Sequence, residues 1–252
     1  MIDSHCHMDF KDFNKNRDEV IGRARKKLSA IINSGATLGG NRKALKLSNE
    51  YKKFIYPTFG FHPIDSSKAD FLVIEEVIKE LHGNIEMAVG IGETGMDYFH
   101  VKDSEGRKRQ EKVFNIFANL AEEYELPLII HARDSEEQAL KIVKKFNSIP
   151  DVIFHCYSGN LETAENIIDE SYYLSFSTMI CFSKHHQNLV KDLPLKFMVT
   201  ETDSPYLSPF KGKKNEPSFV EEAVNKIAQI KEINLKEVDK VTEKNARKIF
   251  DI

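Results

Sequence analysis

The sequence has few cysteines and no long apolar run. Its three cysteines, Cys6, Cys156 and Cys181, lie far apart and form no C-x-x-C pair. This pattern argues against a disulfide scaffold and for a reducing, intracellular compartment. No stretch of ~20 apolar residues is present, and the N-terminus lacks a basic segment followed by an apolar one. We therefore expect a cytoplasmic protein with no membrane partner.

A net positive charge is absent as well. The sequence has 36 basic and 39 acidic residues, which gives a formal net charge of −3, so no global field attracts nucleic acid. A polyanion would have to be held locally. The sequence also has no repeat, no low-complexity tract and no linker that would mark a second domain. With 252 residues, 41% of them hydrophobic, it can bury one sizeable core. We expect one domain over residues 1–252.

Eight short apolar or β-branched segments alternate with segments of helical periodicity. The predicted strands are Ile2–His5, Ala30–Asn33, Ile55–Gly60, Ala88–Gly92, Leu128–His131, Val152–His155, Tyr173–Phe176 and Phe197–Thr200. Predicted helices include Phe71–Leu81, Arg107–Tyr124, Glu136–Phe146, Leu161–Asp169 and, after the last strand, Ser218–Ile230 and Leu235–Phe250. Eight parallel strands joined by helices predict an α/β fold, the (β/α)8 or TIM barrel, with extra C-terminal helix.

Two histidines separated by one residue open the chain, in Asp3-Ser4-His5-Cys6-His7. Residues two apart on a strand point to the same face, so both imidazoles would enter one space, which suits a metal ion. Taken alone, the pair is equally compatible with surface histidines or a purification remnant. Other candidate residues follow the later strands: His62, Glu93, His131, His155, Glu201 and Asp203. Because the carboxyl ends of barrel strands lie at one end, we expect all of these to converge.

The set is too large for one catalytic zinc, which takes three protein ligands and a water. Two divalent ions about 3.5–4 Å apart and bridged by a carboxylate fit better. We assign the bridge to Glu93, which is flanked by glycines. His5, His7 and Asp203 would complete one ion's ligands, and His131 and His155 the other's. Asp203 has a competing interpretation as a helix N-cap before Pro205. The remaining histidines are expected to be ordinary surface residues: His82, His100, His185 and His186.

Taken together, these segments resemble the motifs of the TatD-type metal-dependent deoxyribonucleases. The resemblance rests on Ile2-Asp3-Ser4-His5-Cys6-His7, Gly60-Phe61-His62-Pro63, Gly92-Glu93-Thr94-Gly95-Met96-Asp97-Tyr98, His131-Ala132-Arg133, His155-Cys156-Tyr157-Ser158-Gly159 and Glu201-Thr202-Asp203-Ser204-Pro205-Tyr206-Leu207, and it extends to Asn245-Ala246-Arg247-Lys248-Ile249-Phe250. It implies a TIM barrel with a dinuclear metal centre that hydrolyses phosphodiesters of DNA, often as a 3′-to-5′ exonuclease. The family's ligand positions fall on the same six residues: His5, His7, Glu93, His131, His155 and Asp203.

Several residues are candidates for phosphate chemistry. Arg133 is placed to bind a phosphate through two hydrogen bonds, or to pair with Asp134. His62 is a candidate phosphate ligand or proton donor, or a packed His-Pro turn. Glu201 is a candidate to orient the attacking water or a ligand imidazole.

Contacts with the rest of the DNA are less specific. Tyr98 and Phe99 are candidates to stack a terminal base, although aromatics after a strand are more often core. Lys211, Lys213 and Lys214 are candidate phosphate contacts, whereas Arg23–Lys27 is expected to be solvated surface. The expected substrate is DNA, single-stranded or at strand ends, and no protein partner is indicated.

Two alternatives remain open. The first is a related hydrolase acting on a small ester, amide or lactone, or on aminoacyl-tRNA. The relatives that bridge their metals with a carboxylated lysine differ here, because the fourth-strand position is Glu93. The second is a non-catalytic binding scaffold, which the ligand set and the lack of a basic face disfavour. The ligand types admit zinc, manganese or magnesium.

Overall fold

A computed structural model describes residues 1 to 252, and its elements alternate between strand and helix. The strands are β1 (Ile2–Cys6), β2 (Ala30–Ser34), β3 (Ile55–Thr58), β4 (Ile91–Asp97), β5 (Leu128–Arg133), β6 (Val152–His155), β7 (Tyr173–Ser177) and β8 (Met198–Glu201). The helices are α1 (Arg17–Ala24), α2 (Leu38–Glu50), α3 (Pro63–Ser66), α4 (Phe71–Asn84), α5 (Ser104–Glu123), α6 (Glu136–Val143), α7 (Leu161–Asp169), α8 (Lys184–Asp192), α9 (Val220–Lys231) and α10 (Leu235–Phe250). Short 3₁₀ turns lie between some of them.

All strand pairs are parallel and follow the order of the sequence. β1, β2 and β3 form one sheet, and β4 to β8 form a second. The sheets meet at Phe59, whose carbonyl accepts a hydrogen bond of 2.9 Å from the Gly92 N–H. They meet again beyond β8, where the Asp203 N–H donates to the His5 carbonyl at 3.0 Å. The carboxyl ends of all eight strands therefore face one side.

The apolar core lies between strands and helices and at the amino-terminal end of the strands. Ile2, Ile32 and Val199, near the starts of their strands, pack with Ile249 and Phe250 of α10. This helix starts after Asn234, which is its N-cap, because its side chain accepts a hydrogen bond from the Lys236 N–H. Because α10 covers the amino-terminal end, the opposite end is left for chemistry.

Some predicted boundaries were wrong. β4 runs from Ile91 to Asp97 instead of Ala88–Gly92, so Glu93 lies within the strand and not after it. α6 ends at Val143 rather than Phe146. No helix starts at Ser204, and Asp203 has a left-handed backbone with φ 55°, so the N-cap interpretation of Asp203 is wrong.

Two further predictions concern the cysteines and membrane-spanning segments. All three cysteines are unpaired, as predicted. None of the helices combines the length and the apolar character needed to cross a membrane.

Candidate metal centre

The Glu93 carboxylate lies between two groups of imidazoles. Its Oε2 atom is 3.5 Å from His5 Nε2 and 3.4 Å from His7 Nε2. Its Oε1 atom is 2.8 Å from His131 Nδ1 and 3.0 Å from His155 Nε2. Each carboxylate oxygen thus faces its own pair of nitrogen atoms, which is the arrangement a bridging ligand requires.

Asp203 adds a second carboxylate on the side of the first pair. Its Oδ1 atom is 3.5 Å from His7 Nε2 and 4.0 Å from His5 Nε2. The loop that carries it is held against β1, because the Asp3 carboxylate accepts hydrogen bonds from the Thr202 N–H at 2.8 Å and the Thr202 hydroxyl at 2.6 Å. The structure therefore brings together all six residues that the sequence proposed as ligands.

In each of these four histidines, the outer ring nitrogen, which faces away from Glu93, also has a partner. Ser34 contacts both His5 and His7, with its carbonyl 2.9 Å from His7 Nδ1 and its hydroxyl 3.1 Å from His5 Nδ1. Glu201 Oε1 is 3.3 Å from His155 Nδ1 and Asp97 Oδ2 is 3.3 Å from His131 Nε2. Such partners fix ring orientation and raise ligand basicity.

Two of these outer partners were not found from the sequence. Asp97 lies four residues beyond Glu93 on β4, and residues four apart on a strand share a face, so that spacing was a usable signal. Ser34 ends β2, the strand to which the sequence assigned no site residue. Only the position of β2 beside β1 identifies it.

Glycines let the neighbouring strands approach Glu93 closely. A Cβ atom on Gly60 would lie 2.3 Å from the Glu93 carbonyl oxygen. Gly95 has φ +143°, and a Cβ there would lie 2.0 Å from the His131 carbonyl oxygen. Any larger residue at either position would push the backbone of β4 away from β3 or β5.

Burial and charge set the protonation of the cluster. Burial raises the pKa of the Glu93 carboxyl, but the imidazoles around it outweigh this effect and hold the pKa well below its usual range. Burial lowers the pKa of His7, whereas its hydrogen bond to Asp203 and the charge of Glu93 raise this pKa to about 9. Burial and the neighbouring His155 lower the pKa of His5. Protons on the imidazoles thus balance the buried carboxylates, a balance that divalent cations would supply instead.

The donors fit metal ions in chemistry and position. The ligand atoms of His5, His7 and Glu93 lie within 4.8 Å of one another, and His131 Nδ1, His155 Nε2 and Glu93 Oε1 lie 2.8 to 3.1 Å apart. Imidazole is an ordinary ligand of zinc, and carboxylate is an ordinary ligand of manganese and magnesium. Glu93 belongs to both groups, so the residues present fit two ions that share one carboxylate.

His62 differs from the other histidines in its orientation. It is the N-cap of α3, and its Nδ1 atom accepts a hydrogen bond of 3.2 Å from the Ile64 N–H. The proton of the neutral ring therefore lies on Nε2, 3.4 Å from Glu93 Oε1. The predicted His-Pro turn is present, and it also aims an N–H donor into the site.

Arg133 makes no ion pair. The predicted alternative, a salt bridge with Asp134 or another acid, is wrong, since no carboxylate lies within 4.0 Å. The exposed guanidinium instead lies 4.1 Å from the centre of the Phe99 ring.

Tyr98 is more restrained than its neighbour Phe99. Its hydroxyl donates to Glu111 Oε1 at 2.8 Å, and the Arg107 guanidinium lies 4.4 Å from its ring centre. Phe99 is 46% exposed. Of the two predicted stacking residues, the structure leaves Phe99 more accessible.

The basic segments fall into two kinds. Arg23 and Lys27 pair with Glu216 and Glu221, so Arg23–Lys27 is solvated surface as predicted. Lys211, Lys213 and Lys214 are exposed beyond β8. Lys214 contacts the backbone of Asp12, and the Lys213 amine lies 5.5 Å from the Phe210 ring centre.

The other histidines are not all surface residues. His82 and His185 are exposed, as predicted, whereas His186 is buried at 5% exposure, and the prediction for it was wrong. His186 Nδ1 is 2.7 Å from the Ser183 hydroxyl, which compensates its burial. His100 is exposed, but its Nδ1 atom lies 2.7 Å from Asp97 Oδ2, so it borders the site.

Comparisons with known proteins identify the family of this chain. The TatD related DNase family matches residues 2–251. An uncharacterized metal-dependent hydrolase of Methanocaldococcus jannaschii is 48% identical over 99% of this chain and 96% of its own length. A human protein named deoxyribonuclease TATDN3 is 29% identical over 99% of this chain and 94% of its own length.

A solved structure supports the fold. The crystal structure of a TatD homologue from Escherichia coli superposes with a TM-score of 0.92 at 24% identity, covering 100% of this chain and 98% of the other. This similarity confirms the predicted TIM-barrel fold. By its sequence and its fold, this chain belongs to the TatD related DNase family and is a metal-dependent hydrolase.

Proposed function

We propose that this protein uses two divalent ions to cleave phosphodiester bonds of DNA, at strand ends and with 3′-to-5′ polarity. The observation that carries the proposal is the Glu93 carboxylate, whose two oxygens each face a separate pair of imidazole nitrogens. In this assignment His5, His7 and Asp203 hold one ion and His131 and His155 the other, with Glu93 shared. Zinc, manganese and magnesium all suit these ligands.

The two ions, when bound, supply an activated water and positive charge for the transition state. Asp203 is the carboxylate that accepts the proton of this water. Burial raises its pKa, but the hydrogen bond with His7 and the charges of His155, His7 and His5 together outweigh burial and keep that pKa below its usual value, so Asp203 is ionised at neutral pH. Its side chain is 17% exposed, against 3% for Glu93, and so it faces the substrate side.

Other side chains position the substrate and the ligands. His62 donates from Nε2 to the leaving oxygen, because its Nδ1 atom already accepts from Ile64. Arg133 binds a non-bridging phosphate oxygen pair, since its guanidinium has no carboxylate partner and is held against Phe99. Glu201 fixes His155 and is itself held by a hydrogen bond of 2.5 Å from the Ser175 hydroxyl.

DNA is the substrate that the comparisons favour. The matching family is described as DNase, and the human relative is named a deoxyribonuclease. Arg133, Lys211 and Lys213 have no ion pair, whereas Lys214 pairs with Asp12, and so few free cations match a substrate gripped at its end more than one bound along its length.

An acidic cleft supports a second candidate function. A cleft of about 370 Å³ beside Tyr98 is lined by Asp134, Glu136 and Glu137. Carboxylates repel phosphates, so this cleft favours a small neutral or cationic ester or amide over a nucleic acid chain.

The test compares substrates on the metal-loaded enzyme. We expect about two metal equivalents per chain, stepwise shortening of 3′-ends in single-stranded DNA labelled at the 5′-end, and loss of cleavage on addition of a chelator. Small esters and duplex DNA with blunt ends are tested in parallel. Hydrolysis of esters without DNA cleavage would favour the second candidate, and internal cutting would contradict the end-directed mode.

A further inference from the structure

A large aromatic side chain is displayed beside the Asp203 half of the site. Tyr206 is 55% exposed, although it lies only three residues beyond Asp203. Its ring meets the Phe10 ring edge-on at 6.2 Å, and the Phe10 ring stacks on His7 with 4.5 Å between centres. Two ring contacts therefore connect an exposed aromatic surface to a proposed metal ligand.

The backbone that carries Tyr206 is held firmly. The Tyr206 N–H donates to the Asp203 carbonyl at 3.0 Å. Asn215 is fully buried, and its Nδ2 group donates to the carbonyls of Thr202 and Tyr206 at 2.8 and 2.6 Å. Asp203 and Leu207 both have left-handed backbones, so two turns bracket the exposed ring. The position of the ring relative to Asp203 is thus fixed by the fold, while its surface stays free.

Arg133 lies on a different side of the same mouth. It ends β5, and β5 pairs with β4 and β6. Tyr206 follows β8, which adjoins β1. In a ring of eight strands β5 and β8 are three strand positions apart, so these two places lie on different sides of the mouth. A bound strand therefore meets a phosphate-binding group on one side and an aromatic surface on the other.

We infer that Tyr206, backed by Phe10, stacks an unpaired base of the DNA strand and so positions the scissile phosphate over the metal centre. The inference rests on the proposed function. Nucleobases stack on exposed aromatic rings whatever their identity, so such a contact selects unpaired strands without selecting sequence. The bases of an intact duplex are stacked on one another and cannot reach the ring. Tyr206 is thus a positioning residue that favours single strands and frayed ends.

Activity measurements on strands with and without a base test this role. Loss of one base–aromatic stack is expected to lower kcat/KM of Tyr206→Ala about 5- to 150-fold on single-stranded DNA. Tyr206→Phe retains the ring and should stay near wild type. When a single abasic nucleotide is placed at successive positions of the strand, wild type should show a similar loss of kcat/KM at one position, where the stacked base is missing. Tyr206→Ala should lose nothing further from an abasic residue at that site.

A binding measurement separates stacking from a structural role. With 2-aminopurine at that site in a strand whose linkages resist hydrolysis, wild type and Tyr206→Phe should quench the fluorescence and Tyr206→Ala should not. Phe197→Ala is the matched control. Its half-buried ring lies immediately before β8, at the other end of the barrel. It should cleave and quench like wild type.

Failure of the stacking role and failure of the proposed function give different results. Wild-type cleavage of DNA with unchanged kinetics and quenching in Tyr206→Ala would overturn the stacking role and leave the proposed function standing. A Tyr206→Ala protein that loses bound metal would assign Tyr206 to the metal centre and overturn the inference. Failure of wild type to cleave any DNA would overturn the proposed function and the inference with it.

Discussion

At the scale of single residues, contacts on both sides of each ring orient the imidazoles of the site. The imidazoles of His5, His7, His131 and His155 each have one nitrogen near Glu93 and the other near an acceptor or hydroxyl. The rings therefore have little freedom to reorient. Metal binding is expected to require proton loss from the cluster more than movement of side chains.

Glu93→Ala should be the most damaging single substitution. It removes the only carboxylate that faces both imidazole pairs, so both ions should bind weakly and kcat/KM should fall about a thousand-fold or more. His5→Ala removes one ligand from one side and should retain the second ion. Metal analysis after dialysis, together with kinetics, checks both. Near-normal activity and two bound ions in Glu93→Ala would show that the bridging assignment is wrong.

Arg133→Ala should raise KM for DNA about tenfold while metal content stays unchanged, because the expected partner of this guanidinium is a phosphate and not an ion. Arg133→Lys should recover only part of the loss, since an ammonium cannot make the paired contact. Steady-state kinetics on single-stranded DNA with metal analysis would decide. Unchanged kinetics in both variants would remove Arg133 from the substrate site.

At the scale of elements, the close approach of β4 to β5 depends on glycine. Gly95→Ala should destabilise the fold by about 1–3 kcal/mol, because φ +143° and the contact with the His131 carbonyl cannot both be kept with a Cβ. Bound metal should fall as well, since Glu93 and His131 lie on these strands. Gly22→Ala is the control, because that helix position has no atom within 4 Å and should be neutral or slightly stabilised. Urea unfolding of both variants measures the difference, and equal stability would refute the steric argument.

The same strand shows where sequence reasoning failed. Glycines are poor strand formers, and the predicted strand ends at Gly92, before Glu93. In the fold Thr94 and Gly95 pair with Ile130 and His131 of β5, and that pairing outweighs local propensity. The six proposed ligands could be named because each lies in or just beyond a predicted strand. Ser34 could not be named from the sequence, because its contact with His5 depends on which strands are neighbours.

At the scale of the whole molecule, buried His186 should make stability depend on pH. Burial and the neighbouring His185 lower its pKa to about 4, against ~6.5 in an unfolded chain. Between these values the unfolded state binds more protons, so stability should fall as pH drops from about 6.5 towards 4, by up to ~3 kcal/mol from this group. His186→Gln should be less stable at pH 7.5 and lose less on acidification. Urea unfolding of chelator-treated proteins would test this, and parallel pH curves would contradict it.

The near-neutral charge of the whole chain sets how strongly salt should affect DNA binding. With a net charge of −3, long-range attraction is weak, and the contacts available are the metal centre, Arg133 and the lysines beyond β8. Each neutralised phosphate of a single strand contributes about −0.7 to the slope of log K against log salt, so at most about five such contacts predict a slope no steeper than about −3.5. Fluorescence anisotropy with a hydrolysis-resistant strand at several salt concentrations measures the slope, and Arg133→Ala should make it shallower by about 0.7. A slope steeper than about −5 would require a long basic track and a strand lying along the protein. The exposed carboxylates of Asp134 and Glu137 beside Arg133 argue against such a track, because they would repel the phosphates that follow.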